Sequence, residues 1–192
     1  MDEDKKALEE NGGTWENSHH RLSRDAVDLM NDTITDNINA IVGENDILWH
    51  LGDFAFARRE DYIRKCNFYR YRLKCQNINM VWGNHDEPHL IHSLFKENHT
   101  LNMIHVQGQR IVLNHYAMAV WEKSHHKTIN LYGHSHSNAE SWLDKMMPGR
   151  RSMDVGVDNA YRLLGQYRPF TFDEILNLLK SREGHNIGDH HS

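Results

Sequence analysis

From Ser23 onward the apolar residues of the chain alternate between two rhythms. Val27, Met30, Ile34, Ile38 and Ile41 recur at spacings of three and four, which is one face of an amphipathic helix. Ser23 stands where an N-cap belongs and Gly43 lies just past the end, so a helix is predicted over 23–41. Asn45-Asp46 then turns the chain into Ile47-Leu48-Trp49-His50-Leu51, a β-branched and aromatic run suited to a buried strand, and this run ends in Gly52-Asp53. A second helical pattern covers Arg59 to Lys74, with Tyr62, Ile63, Cys66, Tyr69 and Leu73 on or near one face. Asn77 to Trp82 is the next strand and runs straight into Gly83-Asn84-His85-Asp86-Glu87.

Pro88 is accepted in a first helical turn and predicts a short helix through Leu94 and Phe95. Met103–Val106 and Arg110–Leu113 flank Gln107-Gly108-Gln109 and read as a hairpin whose second strand ends in Asn114-His115-Tyr116. Thr128 to Tyr132 forms another strand, ending in Gly133-His134-Ser135-His136, and Met153 to Val157 a further one. Thr171-Phe172-Asp173-Glu174 has the form of a capping box and opens a last helix through Ile175, Leu178 and Leu179. Residues 1–22 carry no strand pattern and are read as a variable N-terminal segment, 23–180 as one domain, and 181–192 as a mobile polar tail containing histidines.

Length and composition narrow the picture in four ways. At 192 residues one domain with a real core is the simplest organisation. A mean hydropathy of −0.76, with no apolar run near the ~20 residues that span a bilayer, predicts a cytoplasmic protein without membrane contact. The net charge of −5 argues against a broad nucleic-acid footprint, so nucleic acid enters only as a possible substrate. Two cysteines, Cys66 and Cys75, exclude a disulfide framework, whereas sixteen histidines are abundant for this length.

Position decides which histidines matter. Four predicted strands end in Gly52-Asp53, Gly83-Asn84-His85-Asp86, Asn114-His115 and Gly133-His134-Ser135-His136. Ligands bind beyond the carboxyl ends of the strands in open α/β sheets. A carboxylate, an amide and several imidazoles gathered there form a set of hard and borderline ligands suited to Mn, Fe or Zn, and no thiolate is among them.

These motifs, in this order and each after a strand, resemble the calcineurin-like metallophosphoesterase superfamily, and Leu51-Gly52-Asp53-Phe54-Ala55-Phe56 and Asp154-Val155-Gly156-Val157-Asp158 look like its small phage- and bacterial-type members. The resemblance runs from about Arg24 to Leu179 and implies an α/β fold of the α+β sandwich type, with β-sheets flanked by helices. It implies that Asp53 bridges two divalent metal ions, that Asn84, His115 and His134 complete one shell, and that His136 belongs to the other. Mn²⁺ is the first expectation, with Fe, Zn or Ni as alternatives. The implied activity is hydrolysis of phosphate mono- or diesters by a metal-activated hydroxide, with His85 as general acid oriented by Asp86.

One family motif is missing. The Asp-x-His that should follow the first strand has no match before Gly52-Asp53. The expectation is that this strand and its two ligands precede Met1, with residues 2–22 corresponding to an insertion after that motif. A short protein with an altered centre is the alternative, in which His19-His20 could supply imidazoles. Asp189-His190-His191 also spells Asp-x-His, but no apolar strand precedes it. A sheet short of one strand exposes unpaired backbone groups and invites oligomerisation. The rival function is a non-catalytic binding or regulatory remnant holding at most one metal.

Overall fold

The computed structural model describes residues 23–184. The segment 1–22 with His19-His20, and the Asp189-His190-His191 string, lie outside the described residues. Ser23 caps α1 (Arg24–Ile41) by accepting a hydrogen bond from the Ala26 amide at 3.1 Å. The chain continues through β1 (Ile47–His50), α2 (Arg59–Arg72) and β2 (Asn77–Val81). A short α3 (Pro88–Ile91) runs on as a 3₁₀ turn over His92–Leu94 and is followed by β3 (Asn98–His99). The second half comprises β4 (Leu101–Val106), β5 (Gln109–Asn114), β6 (Ile129–Tyr132), α4 (Glu140–Met146), β7 (Ser152–Asp154), α5 (Val157–Leu164) and α6 (Phe172–Leu178).

Two sheets result. In the first, β1, β2 and β3 lie side by side and parallel, with His50 opposite Met80 and Val81 opposite His99. In the second, β4 and β5 form an antiparallel hairpin, and β6 and β7 add in parallel in the order β4-β5-β6-β7. The hairpin turns on Gln107 and Gly108, both with positive φ (48° and 81°), the conformation that matches the twist of the flanking strands. One apolar core joins Leu51 and Val81 of the first sheet to Ile111, Leu113, Ile129, Leu131 and Met153 of the second, with Ile175 and Leu179 of the C-terminal helix closing it. A second core gathers Tyr62 and Cys66 of α2 with Ile78, Met80, Ile91 and Phe95. Cys66 and Cys75 are both buried and free, and Cys75 lies beyond the end of α2.

Four expectations shift. Ile63 is exposed, and Arg70 takes a buried position on α2 instead, because its guanidinium reaches the Leu94 and Gln76 carbonyls at 2.8 and 3.3 Å. The strand expected over Met153–Val157 stops at Asp154, whose Oδ1 accepts the Gly156 amide at 2.7 Å and turns the chain into α5. Helices α4 and α5 were not among the elements expected from the sequence; α4 buries a glutamate, Glu140, beside Leu143. Of the tail expected from Ser181, the stretch to Gly184 is tied to the body, since Arg182 bonds the Arg150 and Ser152 carbonyls at 3.3 and 3.0 Å and Gly184 bonds Gly149 at 2.9 Å.

Candidate metal centre

The carboxyl ends of β1, β2, β5 and β6 meet, two from each sheet, and the loops that leave them are shaped by short backbone contacts. Gly52 is left-handed (φ 101°), and a Cβ on it would stand 2.3 Å from His115 Nδ1 and 2.6 Å from the Gly83 amide. A Cβ on Gly83 would stand 2.3 Å from Asp53 Oδ1. Only glycine lets these two loops approach so closely. Asp53 itself is held at φ 57° and His134 at φ 63°, values that non-glycine residues rarely adopt and that must be over-determined by their surroundings.

Asp86 supplies that constraint for the first pair of loops. Its Oδ2 accepts the amides of Asp53 and Gly83, both at 2.8 Å, and its Oδ1 accepts the amide of Phe54 at 2.9 Å. The carboxylate therefore ties the β1 loop to the β2 loop through backbone, where the family resemblance implied that it orients the His85 ring. Asp154, fully buried at the end of β7, does the same for the β6 loop. Its Oδ2 accepts from Ser135 Oγ at 2.9 Å and from the Ser137 amide at 3.0 Å. Behind it, Glu140 accepts the Asp154 amide at 3.3 Å and the Tyr132 hydroxyl, and pairs with the fully buried Arg150 at 3.1 Å. This array raises the Tyr132 pKa well above its usual value, burial first and the Glu140 hydrogen bond second.

Side-chain atoms converge on one point above these loops. His115 is buried, and its Nδ1 donates to the Leu51 carbonyl at 2.6 Å. With that proton fixed on Nδ1, Nε2 faces Asn84 Oδ1 (3.1 Å), His134 Nδ1 (3.2 Å) and Asp53 Oδ2 (3.5 Å). Asp53, His115 and His134 each offer an atom within 4.8 Å of the others. When the ring carries its proton on Nδ1 alone, Asn84 Oδ1 and His115 Nε2 both present lone pairs to one point, which a cation placed there would satisfy. One carboxylate, one amide oxygen and two imidazoles fit a hard or borderline divalent ion.

The remaining site candidates lie around this point. The His85 amide donates to Asp53 Oδ1 at 3.0 Å, and its ring packs on Phe56 at 4.3 Å between centroids. His136 does not join the group: its Nδ1 engages Asp158 at 2.6 Å on an exposed rim. Tyr116 lays its ring against His115 and His134, at 4.9 and 4.7 Å between centroids. Three contributors were not singled out from the sequence. Phe56 is an exposed aromatic in the loop after Asp53. Glu140 with Arg150 forms the brace behind Asp154. His50 ends β1, and burial pushes its imidazole pKa below the ordinary value, against the opposing pull of Asp86 and Asp53. Their signals were weak, because a polar residue at a strand end or in a loop has many ordinary uses.

Two packed sheets bring Asp53, His115 and His134, a set that could hold a metal ion, to their converging strand ends. A profile of the calcineurin-like phosphoesterase superfamily domain matches residues 19–149, and the chain belongs to that superfamily. It is 26% identical over 156 residues to an uncharacterised protein of Methanocaldococcus jannaschii, covering 80% of this chain and 77% of that protein. A crystal structure of a protein of unknown function from Aquifex aeolicus shares the fold with a TM-score of 0.58 and 22% identity, covering 83% of this chain and 94% of that one. No helix among the described residues is long and apolar enough to cross a membrane.

Proposed function

We propose that the chain hydrolyses phosphate mono- or diesters with a divalent cation, Mn²⁺ first, held by Asp53, Asn84, His115 and His134. The observation that carries this reading is the His115 geometry: a proton fixed on Nδ1 by Leu51, and an Nε2 lone pair facing an amide oxygen, a carboxylate and a second imidazole. When bound, such a cation polarises the phosphoryl group and makes a water-derived nucleophile available near neutral pH. The chain's own residues do the rest. Asp86 and Asp154 fix the loops that present the ligand atoms. As the phosphorus bond to the nucleophilic oxygen forms and the bond to the leaving oxygen breaks, His85 delivers a proton to the leaving oxygen, a contribution of roughly 10²–10⁴-fold. Phe56 holds the His85 ring at the rim.

The test is hydrolysis of p-nitrophenyl phosphate and its bis-ester by the purified chain with added Mn²⁺. Turnover that disappears in Asp53→Ala and drops steeply in His85→Ala is expected. Undiminished turnover in either variant refutes the assigned roles. One observation favours a second reading, a binding or regulatory domain holding a single ion: His136 is engaged by Asp158 outside the cluster. That reading expects one tightly bound ion per chain by elemental analysis and no turnover at saturating Mn²⁺, and two tightly bound ions exclude it. In the first reading substrate screening names the physiological ester, and a nucleic acid enters only as substrate.

A further inference from the structure

Strands β5 and β6 both run away from a second concave site. At their carboxyl ends they deliver His115 and His134. At their starts, roughly 17 Å away at strand rise, the hairpin turn and the 3₁₀ turn Ser124–His126 enclose a pocket of about 310 Å³. His105, Gln109, Arg110, His126, Lys127 and Thr128 line it, and no carboxylate does. In a chain of net charge −5, two permanent cations and two imidazoles around one pocket are a local reversal of sign.

Hydrogen bonds tie the walls of this open surface pocket together. Arg110 Nε donates to His105 Nε2 at 3.1 Å, which anchors the guanidinium by one nitrogen and leaves its two terminal nitrogens outside that bond. Gln109 Nε2 donates to the Lys127 carbonyl at 3.0 Å and to the Arg110 carbonyl at 2.7 Å, pinning one wall to the other. Arg151 stands behind both, with Nε on the Lys127 carbonyl at 3.2 Å and Nη2 on Gln109 Oε1 at 3.4 Å, and adds a third permanent cation. Lys127 is itself held left-handed at φ 64°, the sort of strained conformation that persists only where its surroundings enforce it.

We propose that this pocket is an anion site, separate from the metal centre, for a small ligand bearing two or more phosphate charges. Concentrated, partly fixed guanidinium and ammonium groups match phosphate oxygens with charge-assisted hydrogen bonds. The pocket has room for several water volumes and so for a group larger than a single carboxylate. The cations are gathered in a concavity and do not form a track, which favours a compact anion over a nucleic-acid backbone.

Inorganic pyrophosphate is the probe, titrated by calorimetry into the full chain freed of metal, so that neither chelation nor turnover intervenes. Saturable binding is expected, weakened about tenfold or more in Arg110→Gln/Lys127→Gln, as loss of charged hydrogen bonds predicts. His134→Ala should leave it unchanged. The single Lys127→Gln variant, at an exposed position, gives the same direction of change should the double variant fold poorly. Absence of binding at millimolar pyrophosphate overturns the proposal, as does equal affinity in the variants or loss in His134→Ala. Tighter binding of a duplex oligonucleotide through the same two residues overturns it in favour of a nucleic-acid surface. None of these outcomes depends on whether the metal centre hydrolyses esters.

Discussion

Asp86→Asn separates two roles for one carboxylate. The substitution is nearly isosteric but leaves one acceptor oxygen, where the carboxylate accepts three backbone amides from two loops. The better amide orientation keeps the oxygen at the Oδ2 position, retaining the Asp53 and Gly83 amides, and turns an NH₂ group toward the Phe54 N–H. One hydrogen bond to a charged acceptor is lost, worth about 1.5–3 kcal/mol, the two that remain weaken with the loss of charge, and a donor now faces a donor. A destabilisation of about 2–4 kcal/mol is expected, measured by urea denaturation of metal-free protein at neutral pH. The loss should persist in a His85→Ala background, because the bonded partners are backbone amides and not that ring. A double-mutant cycle over Asp86 and His85 should then close with a coupling under about 0.5 kcal/mol. Stability unchanged by Asp86→Asn, combined with a turnover defect that vanishes once His85 is gone, would refute the backbone role and restore Asp86 as the orienter of the imidazole.

The remaining predictions read the other supports. Gly83→Ala should abolish metal binding by calorimetry, since its Cβ meets the Asp53 carboxylate and backbone, whereas Gly108→Ala, with nothing within 4 Å, should cost about 1 kcal/mol and bind normally. Arg150→Met leaves Glu140 buried without its cation and should lower unfolding stability by about 3–5 kcal/mol in urea; a neutral result would mean that Glu140 is protonated or solvated. Glu174 is held down to about 2, chiefly by its hydrogen bonds with Arg168. A depressed acid stabilises fully above its unfolded pKa of 4.5 and loses that contribution as the pH falls toward 2. Discounted for screening of this partly exposed pair, about 1–2 kcal/mol should separate wild type from Glu174→Gln at pH 7 and shrink to nothing near pH 2 in acid titrations of stability. Added Mn²⁺ should raise the Tm of wild type and of His136→Ala but not of His115→Ala; a shift that survives in His115→Ala would place the ion elsewhere.

What could be read in the sequence follows from which signals are local. The helix capped by Ser23 and the capping box at Thr171–Glu174 each depend on residues within four positions of one another, and both stand in the structure with their hydrogen bonds. The strand ends that carry Asp53, Asn84, His115 and His134 were legible for a similar reason: each apolar run is short, and a glycine or asparagine marks where it stops. The braces were not legible, because a carboxylate does not announce its partner. The family resemblance assigned Asp86 to the His85 imidazole, yet the tight approach of Gly52 and Gly83 brings three amides onto its carboxylate. His136 shows the same limit from the other side. Its motif places it with His134, but alternation through two left-handed residues, His134 at φ 63° and His136 at φ 48°, swings the two rings apart and delivers the second to Asp158. A spacing of two along an extended strand would put both rings on one face; here the loop that Asp154 holds has left the strand geometry, so spacing no longer fixes direction. The ligand set at this centre is therefore decided by two buried aspartates that do not touch the convergence point, and the stability of the loops they hold should set metal affinity as much as the ligands themselves do.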